Sequence, residues 1–163
     1  MIDVQTQNDL FKLISSQIKE DITAYAFGGT AMMYYGYKNV TKDIDIIFEK
    51  EEDREGFIEA IKRLGYEKRS LKGVYSEEKQ ADKGKPVMYT RGDERFDLFV
   101  KKIFGTTLTE DMKKRLFARH DFAQKENTLI INVLSKEDLI LLKAITEREK
   151  DFEDILTIIE KGS

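Results

Sequence analysis

Phe27-Gly28-Gly29-Thr30 and the later run Thr41-Lys42-Asp43-Ile44-Asp45-Ile46-Ile47-Phe48 decide how this chain is read, with thirteen residues between Gly29 and Asp43. Apolar residues 24–27 running into a double glycine predict a buried strand that ends in a tight turn. Residues 30–35 then read as a short helix, closed by Gly36 in the position where helices end on a left-handed residue. The run from Asp43 to Phe48 is rich in β-branched residues and alternates. Ile44, Ile46 and Phe48 share one face of a strand, and Asp43, Asp45 and Ile47 share the other.

Each half has a plain reading and a chemical one. The glycines can simply supply a positive φ at a strand-to-helix turn. Equally, two residues without Cβ let backbone amides approach a phosphate, with the helix N-terminus adding free N–H groups and a favourable dipole, and Thr30 a hydroxyl. Asp43 and Asp45 can be the solvated face of a half-exposed antiparallel strand. Equally, carboxylates two apart on a strand, roughly 6.6 Å between Cα atoms, can reach one ion or an ion pair about 3.5–4 Å apart. Oxygen-only ligands suit Mg²⁺ or Mn²⁺.

Upstream, Leu10, Phe11, Ile14 and Ile18 form the apolar stripe of a helix over residues 8–19, with Thr6 or Asn8 as N-cap. Downstream, Phe57, Ile58, Ile61 and Leu64 mark a second helix from Asp53 to Gly65, and residues 66–70 a strand. Residues 71–85 are charged and lack an apolar period, so a mobile loop or weak hairpin is expected. Residues 87–90 and 94–100 flank Arg91-Gly92-Asp93 as a hairpin. Its second strand sets Phe96, Leu98 and Val100 on one face and Arg95, Asp97 and Phe99 on the other. Residues 109–118 read as a helix, residues 121–124 and 129–133 as strands around a turn at Glu126-Asn127. Ser135 with Asp138 signals a helix start. From Ser135 to Lys161 there is neither Gly nor Pro, which predicts one long helix or two packed ones.

Composition sets the bounds. At 163 residues with 40% apolar content the chain suits one folded domain, and the absence of Cys removes disulfides and thiolate metal sites. A net charge of −3 argues against a dedicated non-specific nucleic-acid binder. No apolar run approaches the roughly 18 residues of a membrane span, so the expectation is a cytoplasmic chain with no membrane partner. Lys113, Lys114, Arg115, Arg119 and His120 form one local basic cluster, and Lys68, Arg69, Lys72, Lys79, Lys83 and Lys85 a second. Either can be a solvated face or touch a nucleic acid backbone.

The glycine turn, the short helix and Asp43-Ile44-Asp45 together resemble the signature of the DNA polymerase β-type nucleotidyltransferase superfamily, with the spacing at the family's upper limit. That family carries a third carboxylate on a neighbouring strand, and Asp97 stands in the matching place. The resemblance covers residues 24–100. Lys143, Lys150, Asp151 and Asp154 are similar to the closing helix of minimal members, including toxins of the abortive-infection type E class, and would share one face of a continuous helix.

The resemblance implies an α+β fold: a small mixed, largely antiparallel sheet flanked by helices, with a helical C-terminal part. Residues 1–163 would be a single nucleotidyltransferase domain, 1–105 the catalytic sheet core and 106–163 the C-terminal hairpin and helices. It implies an enzyme that moves a nucleoside monophosphate from an NTP to an acceptor, releasing pyrophosphate. Asp43, Asp45 and Asp97 would hold two Mg²⁺ or Mn²⁺ ions, and Asp97 would help deprotonate the acceptor. Gly28, Gly29, Thr30 and Lys42 would bind the nucleotide, and Lys143 would neutralise the leaving phosphates. The acceptor is open among an RNA end, a small molecule and a protein, and a cognate antitoxin is an expected partner of the toxin class. The alternative is an inactive nucleotide-binding or protein-interaction module of the same fold.

Overall fold

The computed structural model of the chain describes residues 1–146 and 149–162, without the side chains of residues 145, 146 and 149–151. In order the elements are β1 (Ile2–Asp3), α1 (Val4–Ser15), β2 (Ile22–Phe27), α2 (Gly28–Tyr35), β3 (Val40–Thr41), β4 (Asp43–Phe48) and α3 (Glu51–Arg63). Then come β5 (Glu67–Arg69), α4 (Glu77–Gln80), β6 (Val87–Arg91), β7 (Glu94–Val100), β8 (Lys102–Ile103) and β9 (Thr106–Thr107). The chain closes with α5 (Glu110–Lys114), β10 (Ala118–Phe122), β11 (Leu129–Val133), α6 (Lys136–Thr146) and α7 (Glu149–Gly162).

One sheet runs β10-β11-β2-β4-β7-β6-β5, with β8 and β9 attached at β7. β11–β2 and β4–β7 are parallel; the other pairs on this path are antiparallel. The fold is therefore α+β with a mixed, largely antiparallel sheet, as the resemblance implies. β4 lies at the centre and is buried along its whole length, the carboxylates of Asp43 and Asp45 as well as Ile44, Ile46, Ile47 and Phe48. Phe48 and Phe96 meet Phe57 of α3 at ring-centroid distances of 5.4 and 5.5 Å, so the Ile44-Ile46-Phe48 face packs on α3. The opposite face carries Phe27 against Phe99, 5.5 Å apart, and Phe104 beyond it. Among the described residues no helix is long and apolar enough to cross a membrane.

Four expectations need correction. α1 starts at Val4, where Asp3 accepts the amide of Thr6 at 2.7 Å. Its first turn, Val4-Gln5-Thr6-Gln7, buries only Gln7 and so shows no apolar period, and neither Thr6 nor Asn8 caps it. The helix expected over 109–118 ends at Lys114, because Phe117 donates its amide to Val133 and residues 118–122 pair with β11. The sheet ladder overrides local helical preference there. Residues 71–85 form an ordered strap with a turn, a short helix and a buried Tyr75, held where Phe104 donates its amide to the Gly84 carbonyl at 2.8 Å. A Cβ on Gly84 would collide with the Phe104 backbone. Lastly, α6 and α7 are two helices, so Lys143 and Asp154 do not meet along one continuous helix face.

Candidate active site

β2 ends at Phe27, paired with Asp45 of β4, so the glycine turn opens directly over the first carboxylates. Gly28 has φ 58° and lies against Asp45: a Cβ there would fall onto the Asp45 carboxylate oxygen Oδ2. Gly29 has Thr41 Oγ1 where its Cβ would be, 2.6 Å away. Both glycines are thus required by close approach, Gly28 also by conformation. Thr30 is fully buried, and its hydroxyl accepts the Asp45 amide at 3.0 Å. It locks the turn to the strand instead of facing outward as a phosphate donor.

Asp43, Asp45 and Asp97 come together on one sheet face, but they are not solvated. Their exposures are 7%, 8% and 0%. The parallel register of β4 and β7 sets Asp45 beside Asp97 and Asp43 beside Arg95. Arg95 bonds Asp97 through Nε at 2.9 Å and Nη2 at 3.2 Å, and Asp43 Oδ2 through Nη2 at 2.8 Å. Tyr75, delivered by the strap, donates its hydroxyl to Asp97 Oδ2 at 2.7 Å. Burial pushes the Asp97 carboxyl above its ordinary value, against the pull of Arg95 and the Tyr75 hydrogen bond. For Arg95 burial works against the charged form, yet Asp97, Asp43 and Asp45 outweigh it and raise its pKa.

Lys143 is buried, and its ammonium lies 2.6 Å from Asp154 Oδ2, which also accepts Lys38 at 3.1 Å. Lys38 Nζ lies 3.9 Å from where a Gly29 Cβ would stand, so this cationic group adjoins the glycine turn. Lys42 does not join it: its side chain is exposed, and its positive charge is felt by Asp93 on the β6–β7 turn. The side chains of Lys150 and Asp151 lie outside the described residues. Lys38, Arg95 and Tyr75 are the members that sequence reasoning missed. Arg95 was findable, since it shares the Asp97 face two residues away. Lys38 and Tyr75 lie in irregular segments without a period to place them.

The donor chemistry of Asp43 and Asp45, all oxygen and adjoining the glycine turn, suits a hard divalent ion. Asp97 fits less well, since it is fully enclosed and Arg95 and Tyr75 engage both its oxygens; Asp43 also meets Arg95, through Oδ2. Among the described residues, no three His, Cys, Asp or Glu side chains are placed to hold one metal ion together. The basic cluster near residue 115 is largely consumed internally. Lys113 pairs with Glu49 and Glu110, Arg115 with Asp138, Arg119 with Asp121, and His120 stacks on Tyr34 at 4.2 Å.

No family model and no curated protein matches the chain. Among solved structures it is similar to the crystal structure of ANT(2")-Ia in complex with adenylyl-2"-tobramycin. The two share a TM-score of 0.55 and 14% sequence identity over 97% of this chain and 90% of that one. The shared property at that identity is the fold, a mixed, mostly antiparallel sheet flanked by helices and closed by a helical C-terminal part.

Proposed function

We propose that the chain is a metal-dependent nucleotidyltransferase of the DNA polymerase β type. The observation that supports this is the wedge of Gly28 against the Asp45 carboxylate, which puts the glycine turn at the start of α2 and a carboxylate pair at one point of the sheet. The amides of Gly28 and Gly29 and the N-terminus of α2 would cradle the triphosphate. Asp43 and Asp45 would hold a Mg²⁺ or Mn²⁺ ion, which when bound supplies charge neutralisation at the reacting phosphate. Lys38 and Lys143, bridged by Asp154, would draw charge from the leaving phosphates. The acceptor hydroxyl oxygen would attack the α-phosphorus and release its proton to water, the bond from the α-phosphorus to the α,β-bridging oxygen would break, and pyrophosphate would depart with that electron pair. The protein's share is positioning and electrostatics.

For the acceptor we favour RNA. Arg69 of β5 shares the Asp97 face of the sheet across Met88, and Lys72, Lys83 and Lys85 lie exposed on the strap that delivers Tyr75 to Asp97. Their charge suits an anionic acceptor better than an aminoglycoside such as the one carried by ANT(2")-Ia. A cognate antitoxin, if the chain is a toxin, would dock on α7, where Phe152, Leu156 and Ile159 are exposed at helical spacing. A reaction consuming NTP supports the cytoplasmic location expected from the sequence.

The engagement of Asp97 by Arg95 and Tyr75 favours a second reading, a module that binds nucleotide without transferring it. Pyrophosphate release from each NTP, with cellular RNA or aminoglycosides as acceptors, separates the two. The enzyme reading expects Mg²⁺-dependent release that Asp45→Asn lowers by roughly 10²-fold or more. Metal-dependent NTP binding with no release on any acceptor would favour the module.

A further inference from the structure

Arg95 is the residue that strand register drives among the carboxylates. Asp43 and Asp45 of β4 stand beside Arg95 and Asp97 of β7, so the four side chains make a two-by-two block on one sheet face. Within it the guanidinium forks onto both Asp97 oxygens, at 2.9 and 3.2 Å, and spans to Asp43 at 2.8 Å. Asp97 itself is fully enclosed, with the Tyr75 hydroxyl closing the side toward the strap. A guanidinium is planar, always protonated and pre-organised for carboxylates, so it serves as a fixed cation. Among the three carboxylates the guanidinium already supplies a positive charge that a second ion would otherwise bring. A second ion touching Asp97 would have to share its oxygens with a cation already seated there.

We propose that Arg95 takes the place of one of the two cations: the chain holds a single divalent ion through Asp43 and Asp45, and Asp97 serves as the counter-ion of Arg95. This rests on the nucleotidyl-transfer reading and departs from the ion pair that the resemblance implies. Arg95 is then a positioning residue for Asp43, and the strap, through Tyr75, helps to fix the Asp97 end of the pair.

Electron paramagnetic resonance of Mn²⁺, counted per chain at saturating non-hydrolysable NTP analogue, tests it without turnover. The wild type is expected to show one bound ion with an uncoupled spectrum. Arg95→Gln, folded by circular dichroism, is expected to take up two ions with the spin-coupled signature of a pair about 3.5–4 Å apart. Arg95→Lys, which keeps a cation, is expected to return to one. A spin-coupled pair in the wild type overturns the proposal and leaves nucleotidyl transfer standing. A single ion in a folded Arg95→Gln also overturns it. No bound Mn²⁺ in any variant overturns it together with the metal dependence proposed above. Should Arg95→Gln not fold, the wild-type spectrum decides.

Discussion

Gly28 shows how narrowly one residue can be constrained. Its φ of 58° costs an L residue about 1–2 kcal/mol, and a Cβ would displace the Asp45 carboxylate besides. Gly28→Ala is therefore expected to lower unfolding stability by about 1–2 kcal/mol in urea denaturation and to weaken Mg·NTP binding; unchanged stability and binding would refute the wedge. Asp43→Asn and Asp45→Asn are expected to behave oppositely. Each removes one charge from a crowded acidic corner, so melting should hold or rise slightly while metal-dependent transfer is lost. Asp43 carries the greater structural risk of the two, because it shares Arg95 with Asp97.

The elements that bring the site together are those whose positions depend on distant partners. Asp154 of α7 accepts Lys143 of α6 and Lys38 from the segment after α2, all in a largely buried setting. Breaking a buried pair from one side leaves an uncompensated charge, so Asp154→Ala is expected to cost about 3–5 kcal/mol by denaturant unfolding. A loss below about 1 kcal/mol would contradict the role given to this bridge. The alternation of β4 and β7 was legible because a strand's period of two assigns faces directly, Asp43 with Asp45 and Arg95 with Asp97; that the two strands are neighbours rested on the resemblance, and Arg95 was not read as part of the site. Periodicity could not show that the strap covers that face, since Tyr75 reaches Asp97 from a segment with no apolar pattern. Nor could it show that residues 118–122 join β11, because that pairing is decided across a turn by the partner strand.

At the scale of the whole molecule, the sheet divides the protein into an apolar face under α3 and a face where charge is enclosed near the glycine turn. Away from the site, His120 gives the fold a separate pH response. Burial lowers its pKa from the ordinary 6.5, with Asp121 pulling the other way. Between the folded value and 6.5 the unfolded chain binds more protons, so stability rises with pH through that window, is complete above it, and is lost as pH falls through the folded value. Wild-type unfolding curves between about pH 5 and 7 should carry this slope and His120→Gln should lack it; equal slopes would remove His120 as the cause. The central claim is that the glycine turn and the carboxylate pair form one metal-nucleotide site. Calorimetric titration of NTP with and without Mg²⁺, on the wild type and on Asp45→Asn, tests it most directly. Binding is expected to require Mg²⁺ and to weaken by roughly tenfold or more, about 1.4 kcal/mol, in the variant. NTP binding that is indifferent to Mg²⁺, or equal in Asp45→Asn, would contradict it.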